Sequence, residues 1–322
     1  MSALVKKYWF PLGLVLVVVV TFADVSGRTA AAGTWLKQHH GPEMNIFVIF
    51  FTSGLMLHWD QIREGLLDIR GILLALVLIF LAAPLLAWLM ARIPLPAGIV
   101  IGLFLVAVMP TTLSSGVVMS GAAGGNMAHA LVITIVANAV AIFAIPLTLP
   151  LLVHGSAASG GIAIDKVSLM FKLAALVLLP LMLGLAGKAL LVDHLAARLR
   201  QALETVLTRV NQFLILLIVW MALSQSRDAI LLSGMRLGAI GLVSVGFHAM
   251  MLAAAGLLVW GFRIPPGRRE SVIFMGAQKT LPLSILLQVS LFPQYPDALT
   301  VCVVHHLLHL VMDGVLVDRL RG

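Results

Sequence analysis

The sequence predicts an all-α polytopic membrane protein with about ten transmembrane helices, and three observations carry that expectation. Hydrophobic residues make up 61% of the chain and charged residues 11%, less than half the roughly 25% charge of a soluble domain. The apolar residues fall in continuous runs of about 20, enough for a helix to cross the hydrocarbon core, and not in the weak alternating segments of a transmembrane barrel. The basic residues are distributed unevenly between the two sets of connectors. With the N-terminus inside, thirteen Lys and Arg lie on the inner side and seven on the outer side, and Lys279 within a span completes the 21. That bias follows the positive-inside rule and puts both termini in the cytoplasm. The excess of basic residues is thereby accounted for by a membrane surface, with no nucleic-acid partner.

The expected spans are 8–23, 44–58, 71–91, 97–120, 127–153, 168–190, 211–224, 237–261, 271–291 and 300–318. The first follows Lys6 and Lys7. It is read as a helix and not as a signal peptide ending at Val25-Ser26-Gly27, because the charge bias needs it in the membrane. The fourth run holds Met109–Asn126, M-P-T-T-L-S-S-G-V-V-M-S-G-A-A-G-G-N, where Pro110 removes a backbone donor and the glycines weaken a helix. An interrupted helix is tolerated in lipid only where protein or a water-lined cavity surrounds it. The ninth run is interrupted likewise at Gly276–Pro282, G-A-Q-K-T-L-P. The small-residue connector His154–Lys166 divides the ten runs into five and five, so the halves 1–160 and 161–322 enter the membrane in opposite senses. Paired breaks at corresponding positions of two inverted halves point to a transporter site at the repeat interface. Leu195, Leu199, Leu203, Val206 and Val210 recur at helical spacing and are read as an amphipathic helix lying at the cytoplasmic interface before the seventh span. The lone Cys302 excludes a disulfide framework and a cysteine-based metal site.

The candidate site residues gather at the breaks. Thr111, Thr112, Ser114 and Ser115 bring four hydroxyls to mid-membrane, Asn126, Thr134 and Asn138 follow on the next helix, and Gln278, Lys279 and Thr280 occupy the second break. Freed carbonyls and hydroxyls suit a hard cation, and half-helix N-termini suit an anion. A lysine inside a span is costly and needs a partner or a task. Either Lys279 pairs with Asp313, whose depth differs from its own by about 5 Å at helical rise, or its charge replaces a cation or meets an anionic substrate. On the tenth span, His305, His306, His309 and Asp313 share one arc of about 100°; they are read first as hydrogen-bonded helix packing, with a proton relay or metal binding through the His305/His309 pair as the functional alternatives. His129 and His248 are read as packing. Nothing matches a P-loop, a nucleophile elbow or H-E-x-x-H.

P-T-T-L-S-S-G-V-V, G-G-N-M-A-H-A and F-M-G-A-Q-K-T-L-P-L together resemble the bile acid:sodium symporter superfamily, in its SBF-like branch, over nearly the whole chain. The resemblance implies two inverted five-helix repeats. A core domain from spans 3–5 and 8–10 contains two broken, crossing helices, and a panel domain is made of spans 1–2 and 6–7. It places a sodium-binding serine at Ser115, a threonine of the same site at Thr134 and a glutamine of a second site at Gln278. The chain departs from that pattern at Gly116 for Asn, Ala130 for Ser, Phe274 for a sodium-binding Glu, and Lys279 for an uncharged residue.

The expected function is secondary active transport of a small, anionic organic solute across the cytoplasmic (inner) membrane by alternating access. The resemblance implies sodium as the coupling ion, and no cofactor is expected. Three alternatives stand beside it. They are proton coupling through Lys279, Asp313 and the histidines, a membrane metalloenzyme at His305, His309 and Asp313, and a non-transporting regulator of ion homeostasis.

Overall fold

The computed structural model describes residues 3–24, 26–57, 65, 68–112, 115–156, 164–232 and 236–320. The predicted residue Ser114 lies outside them. The described chain is helical, with no strand. In order, the helices are α1 (Ala3–Ala23), α2 (Arg28–Gln38), α3 (Gly41–Leu55), α4 (Ile69–Met90), α5 (Ala97–Val108), α6 (Ser115–Ala122) and α7 (Met127–His154). They continue with α8 (Lys166–Val192), α9 (Ala197–Leu232), α10 (Leu237–Gly261), α11 (Arg269–Ala277), α12 (Leu281–Leu291) and α13 (Pro296–Leu320).

Local chemistry sets the ends. Asp68 accepts from Gly71 N at 3.1 Å to start α4, Asn126 from His129 N at 2.8 Å to start α7, and Asp165 from Val167 N at 3.0 Å to start α8, each a side-chain cap for a donor the helix leaves free. Outside the two breaks, the described residues of every predicted apolar run are helical apart from run ends. Among the described residues seven segments, α11 and α12 counted together as one, are long and apolar enough to cross a membrane, or up to eight if α1 and α2 also form one bent span. Leu16, Leu81, Leu190 and Leu242 are more than 60% exposed, which suits a lipid-facing surface and would not suit water.

One expectation is corrected. The amphipathic stretch is not a separate interfacial helix. It is the first part of the 36-residue α9, because no Gly or Pro interrupts 197–232. At 1.5 Å per residue α9 is about 54 Å long, so part of it extends beyond a core of about 30 Å. The 24–43 connector also folds, into α2, where it packs on α9.

Helices α1, α2, α3, α8 and α9 pack on one another, as do α4–α7 and α10–α13. In the first group α3 and α8 meet backbone to backbone at Gly54 and Gly184, where a Cβ on Gly184 would run into Phe51 O. In the second, the Arg269–Leu291 segment has 94% of its apolar window buried, against 33% for Lys166–Val192. The second break therefore lies at the centre of the molecule.

Candidate functional site

Both breaks are extended. Met109 (ψ 146°) ends α5, and Gln278 (ψ 147°) and Thr280 (ψ 133°) separate α11 from α12. They touch through the backbone, with Thr280 N donating to Pro110 O at 3.0 Å. Pro110 has no N–H, so it can accept in such a pair but cannot return the bond.

Side chains complete the contact. Thr112 Oγ1 donates to Gln278 Oε1 at 2.7 Å, and Ser115 Oγ lies 2.9 Å from Thr112 Oγ1 and 3.1 Å from Gln278 Oε1. Thr134 Oγ1 donates to Ala130 O at 3.0 Å and stands 3.5 Å from Thr112 O. Uncharged oxygens from α6, α7 and both breaks thus converge, a set that suits a hard monovalent cation. Gly116 makes room for them, since a Cβ there would lie 2.7 Å from Met275 Sδ and 3.0 Å from Gln278 Oε1.

Gln278 is held from behind. Its Nε2 donates to Asp313 Oδ2 at 2.7 Å, and the other carboxylate oxygen accepts from His248 Nε2 at 2.8 Å. A carboxylate only accepts, so it fixes the amide with nitrogen toward Asp313 and oxygen toward Thr112 and Ser115. His309 Nδ1 lies 3.6 Å from Asp313, too far for a hydrogen bond, and its Nε2 meets His306 Nδ1 at 2.9 Å.

A cavity of about 130 Å³ opens against this cluster, between the two helix groups. Thr112, Ser115, Thr134, Asn138 and Thr280 form one wall. Ser53, Thr208, Asn211 and Gln212 face them, with Phe10, Ile49 and Leu181 as apolar surface and His306 at one side. Asn211 is locked by Thr52 Oγ1 donating to its Oδ1 at 2.5 Å, whereas Asn138 Oδ1 is buried without a protein partner. Among the described residues no Asp, Glu, Lys or Arg lines the cavity.

Not every predicted residue belongs to it. Asn126 caps α7 and Thr111 is buried, and neither lines the cavity. Lys279 does not pair with Asp313. Its Nζ donates to Ile79 O, Ala107 O and Met109 O, each at 3.0 Å, because broken helices supply acceptors nearer than the carboxylate. His305 meets the Phe247 ring at a tilt and the His248 ring edge-on. Among the described residues no three His, Cys, Asp or Glu side chains converge as metal ligands would. Sequence reasoning missed His248, read as packing, and the whole facing wall on α3 and α9. Their partners lie 65 and 159 residues away in sequence, so no local pattern marks them.

The profile of the SBF-like CPA transporter family matches residues 8–322. The chain belongs to that family. It is therefore a multi-pass membrane transporter and not an enzyme. This family member is 27% identical, over 96% of its length and 72% of the relative's, to an Arabidopsis thaliana protein named "Probable sodium/metabolite cotransporter BASS4, chloroplastic". It is 24% identical to sodium/bile acid cotransporter 7-B of Xenopus laevis, over 98% of this chain and 92% of the other. Sodium/bile acid cotransporter 7 of Danio rerio is 30% identical over 56% of this chain and 54% of its own.

Proposed function

We propose that this family member is a sodium-coupled secondary transporter of a small, amphipathic, anionic organic solute, working by alternating access in the cytoplasmic membrane. The observation that carries the reading is that the oxygen cluster at the touching breaks is also a wall of the cavity between the helix groups. Thr112, Ser115, Thr134 and Gln278 would hold the ion, and Asp313 would supply the nearest negative charge through Gln278. The names of the relatives, a sodium/metabolite and a sodium/bile acid cotransporter, agree with that ion.

The cavity's character supports the solute class. Its hydroxyl and amide rim and apolar surface suit an amphipathic molecule. With no cationic side chain in the wall among the described residues, an anion would be met by the co-bound sodium and by the first turns of α6 and α12, at Ser115 and Leu281. At about 130 Å³ the cavity is smaller than the 300–1,000 Å³ of sites for drug-sized ligands, so loading requires the two helix groups to part. Core and panel domains moving against each other, inverted halves 1–160 and 161–322, and cytoplasmic termini belong to the same proposal. A thermal-shift screen of organic anions in sodium and in choline buffer tests it. Stabilisation that needs anion and sodium together is expected, and anion stabilisation equal in both buffers argues against it.

A second reading, proton coupling, has its own support. His306 on the cavity wall, His309 and Asp313 form a buried row leading to Gln278, and such rows mark proton paths in membranes.

A further inference from the structure

A buried ammonium is ordinarily paired with a carboxylate. Lys279 is 1% exposed, and among the described residues it forms no ion pair within 4.0 Å. Its three acceptors are the carbonyls of Ile79, Ala107 and Met109, and the backbone strands each of them. In the π-helical turn Leu78–Ala82, hydrogen bonds reach five residues ahead, so Ala83 N donates to Leu78 O. That leaves Ile79 O to residue 84, which is Pro and has no N–H. Helix α5 stops at Val108, so Ala107 O has no donor ahead of it, and the extended Met109 turns its carbonyl out of the helix.

Three acceptors meeting at one nitrogen match the three N–H donors of an ammonium, and a neutral amine has only two. Carbonyls at a helix C-terminus also carry partial negative charge. We propose that Ile79 O, Ala107 O and Met109 O form a monovalent-cation seat and that Lys279 fills it with its own ammonium. The side chain is then a resident cation tying α4, the first break and the second break together. The 3.0 Å spacing suits ammonium-sized ions and is longer than the 2.3–2.6 Å that a small hard cation such as calcium keeps to oxygen. The seat is therefore chemically distinct from the hydroxyl cluster at Thr112 and Ser115. One consequence rests on the sodium-coupled reading: this charge stays with the carrier through the whole cycle and adds no coupling ion.

The test needs neither solute nor transport, so its failure is separable from failure of the transport reading. Thermal unfolding of purified Lys279→Ala is measured in choline chloride and with ammonium, methylammonium or sodium chloride added. In choline the midpoint should fall by about 5–10 °C as three buried acceptors lose their donors. Ammonium or methylammonium at about 100 mM should restore it saturably and leave the wild-type midpoint unmoved, whereas sodium should raise the variant no more than it raises the wild type. Lys279→Met, which fills the space without charge, should unfold early and not be restored. Should Lys279→Ala not fold in choline, purification in ammonium chloride applies the same test. Recovery there supports the seat, and failure in both salts overturns it. Loss that no small cation restores, equal restoration by added choline, or a wild-type midpoint for Lys279→Met also overturns the proposal.

Discussion

Replacing Asp313 by Asn removes a charge while keeping the side chain's shape, which makes it the sharpest probe of how the ion is held. Asp313 is not among the residues lining the cavity; its Oδ2 is 2.7 Å from Gln278 Nε2, and Gln278 Oε1 faces the hydroxyls. The amide nitrogen and oxygen lie about 2.2 Å apart, and a hard cation keeps about 2.4 Å from oxygen. The carboxylate is therefore within about 7 Å of an ion at the cluster. At that distance, with an effective dielectric of about 20, its attraction is worth about 2.4 kcal/mol, or roughly a 50-fold change in sodium affinity. The assay is the rise of the unfolding midpoint with sodium concentration, since an ion that binds only the folded state stabilises it by mass action. Asp313→Asn should need roughly 50 times more sodium for the same rise. A folded variant whose sodium response stays within about 3-fold of wild type, a loss of under about 0.7 kcal/mol, would refute the reasoning and reduce Asp313 to a packing partner of His248.

Other perturbations separate ion, solute and fold. Thr112→Val removes the hydroxyl that accepts from Gly116 N and donates to Gln278, so sodium stabilisation should weaken at least about 10-fold. An unchanged response would place the ion elsewhere. Asn211→Ala should lower affinity for whatever anion the screen identifies by about 10-fold and leave the sodium response of the solute-free protein intact, because Asn211 lines only the facing wall. Equilibrium binding at fixed sodium reads this directly. Gly184→Val forces a side chain into Phe51 O and should destabilise the protein by about 3 kcal/mol. A wild-type melting curve would contradict the close approach of α3 and α8.

Much of this was legible because the signals are local. Pro110 and the Gly276–Pro282 stretch break helices through their own backbone chemistry, so both interruptions stand out in the sequence, and the apolar runs around them became helices within a few residues. The hydroxyls of Thr112 and Ser115 and the amide of Gln278 were legible for the same reason, since they sit on the breaks themselves. The partner of Lys279 was not. It depends on Ile79 O, released by a π turn ahead of Pro84 on a different helix, and spacing along one helix says nothing about that. His248 could be matched to Asp313 only after α10 and α13 were packed together. The unbroken α9 was readable in principle, because no Gly or Pro lies between 197 and 232. The change from a charged to an apolar surface at about residue 211 looked like a boundary and is only a change of surroundings.

The account's central claim is that the contact between the two breaks binds sodium and couples it to solute entry. Uptake into proteoliposomes, with sodium and proton gradients imposed one at a time, tests this most directly. The account predicts accumulation of the anion identified by the screen under an inward sodium gradient. That accumulation should disappear when the sodium gradient is collapsed and in Thr112→Val. Uptake indifferent to sodium but abolished by collapsing the proton gradient would contradict it and shift the coupling to His306, His309 and Asp313.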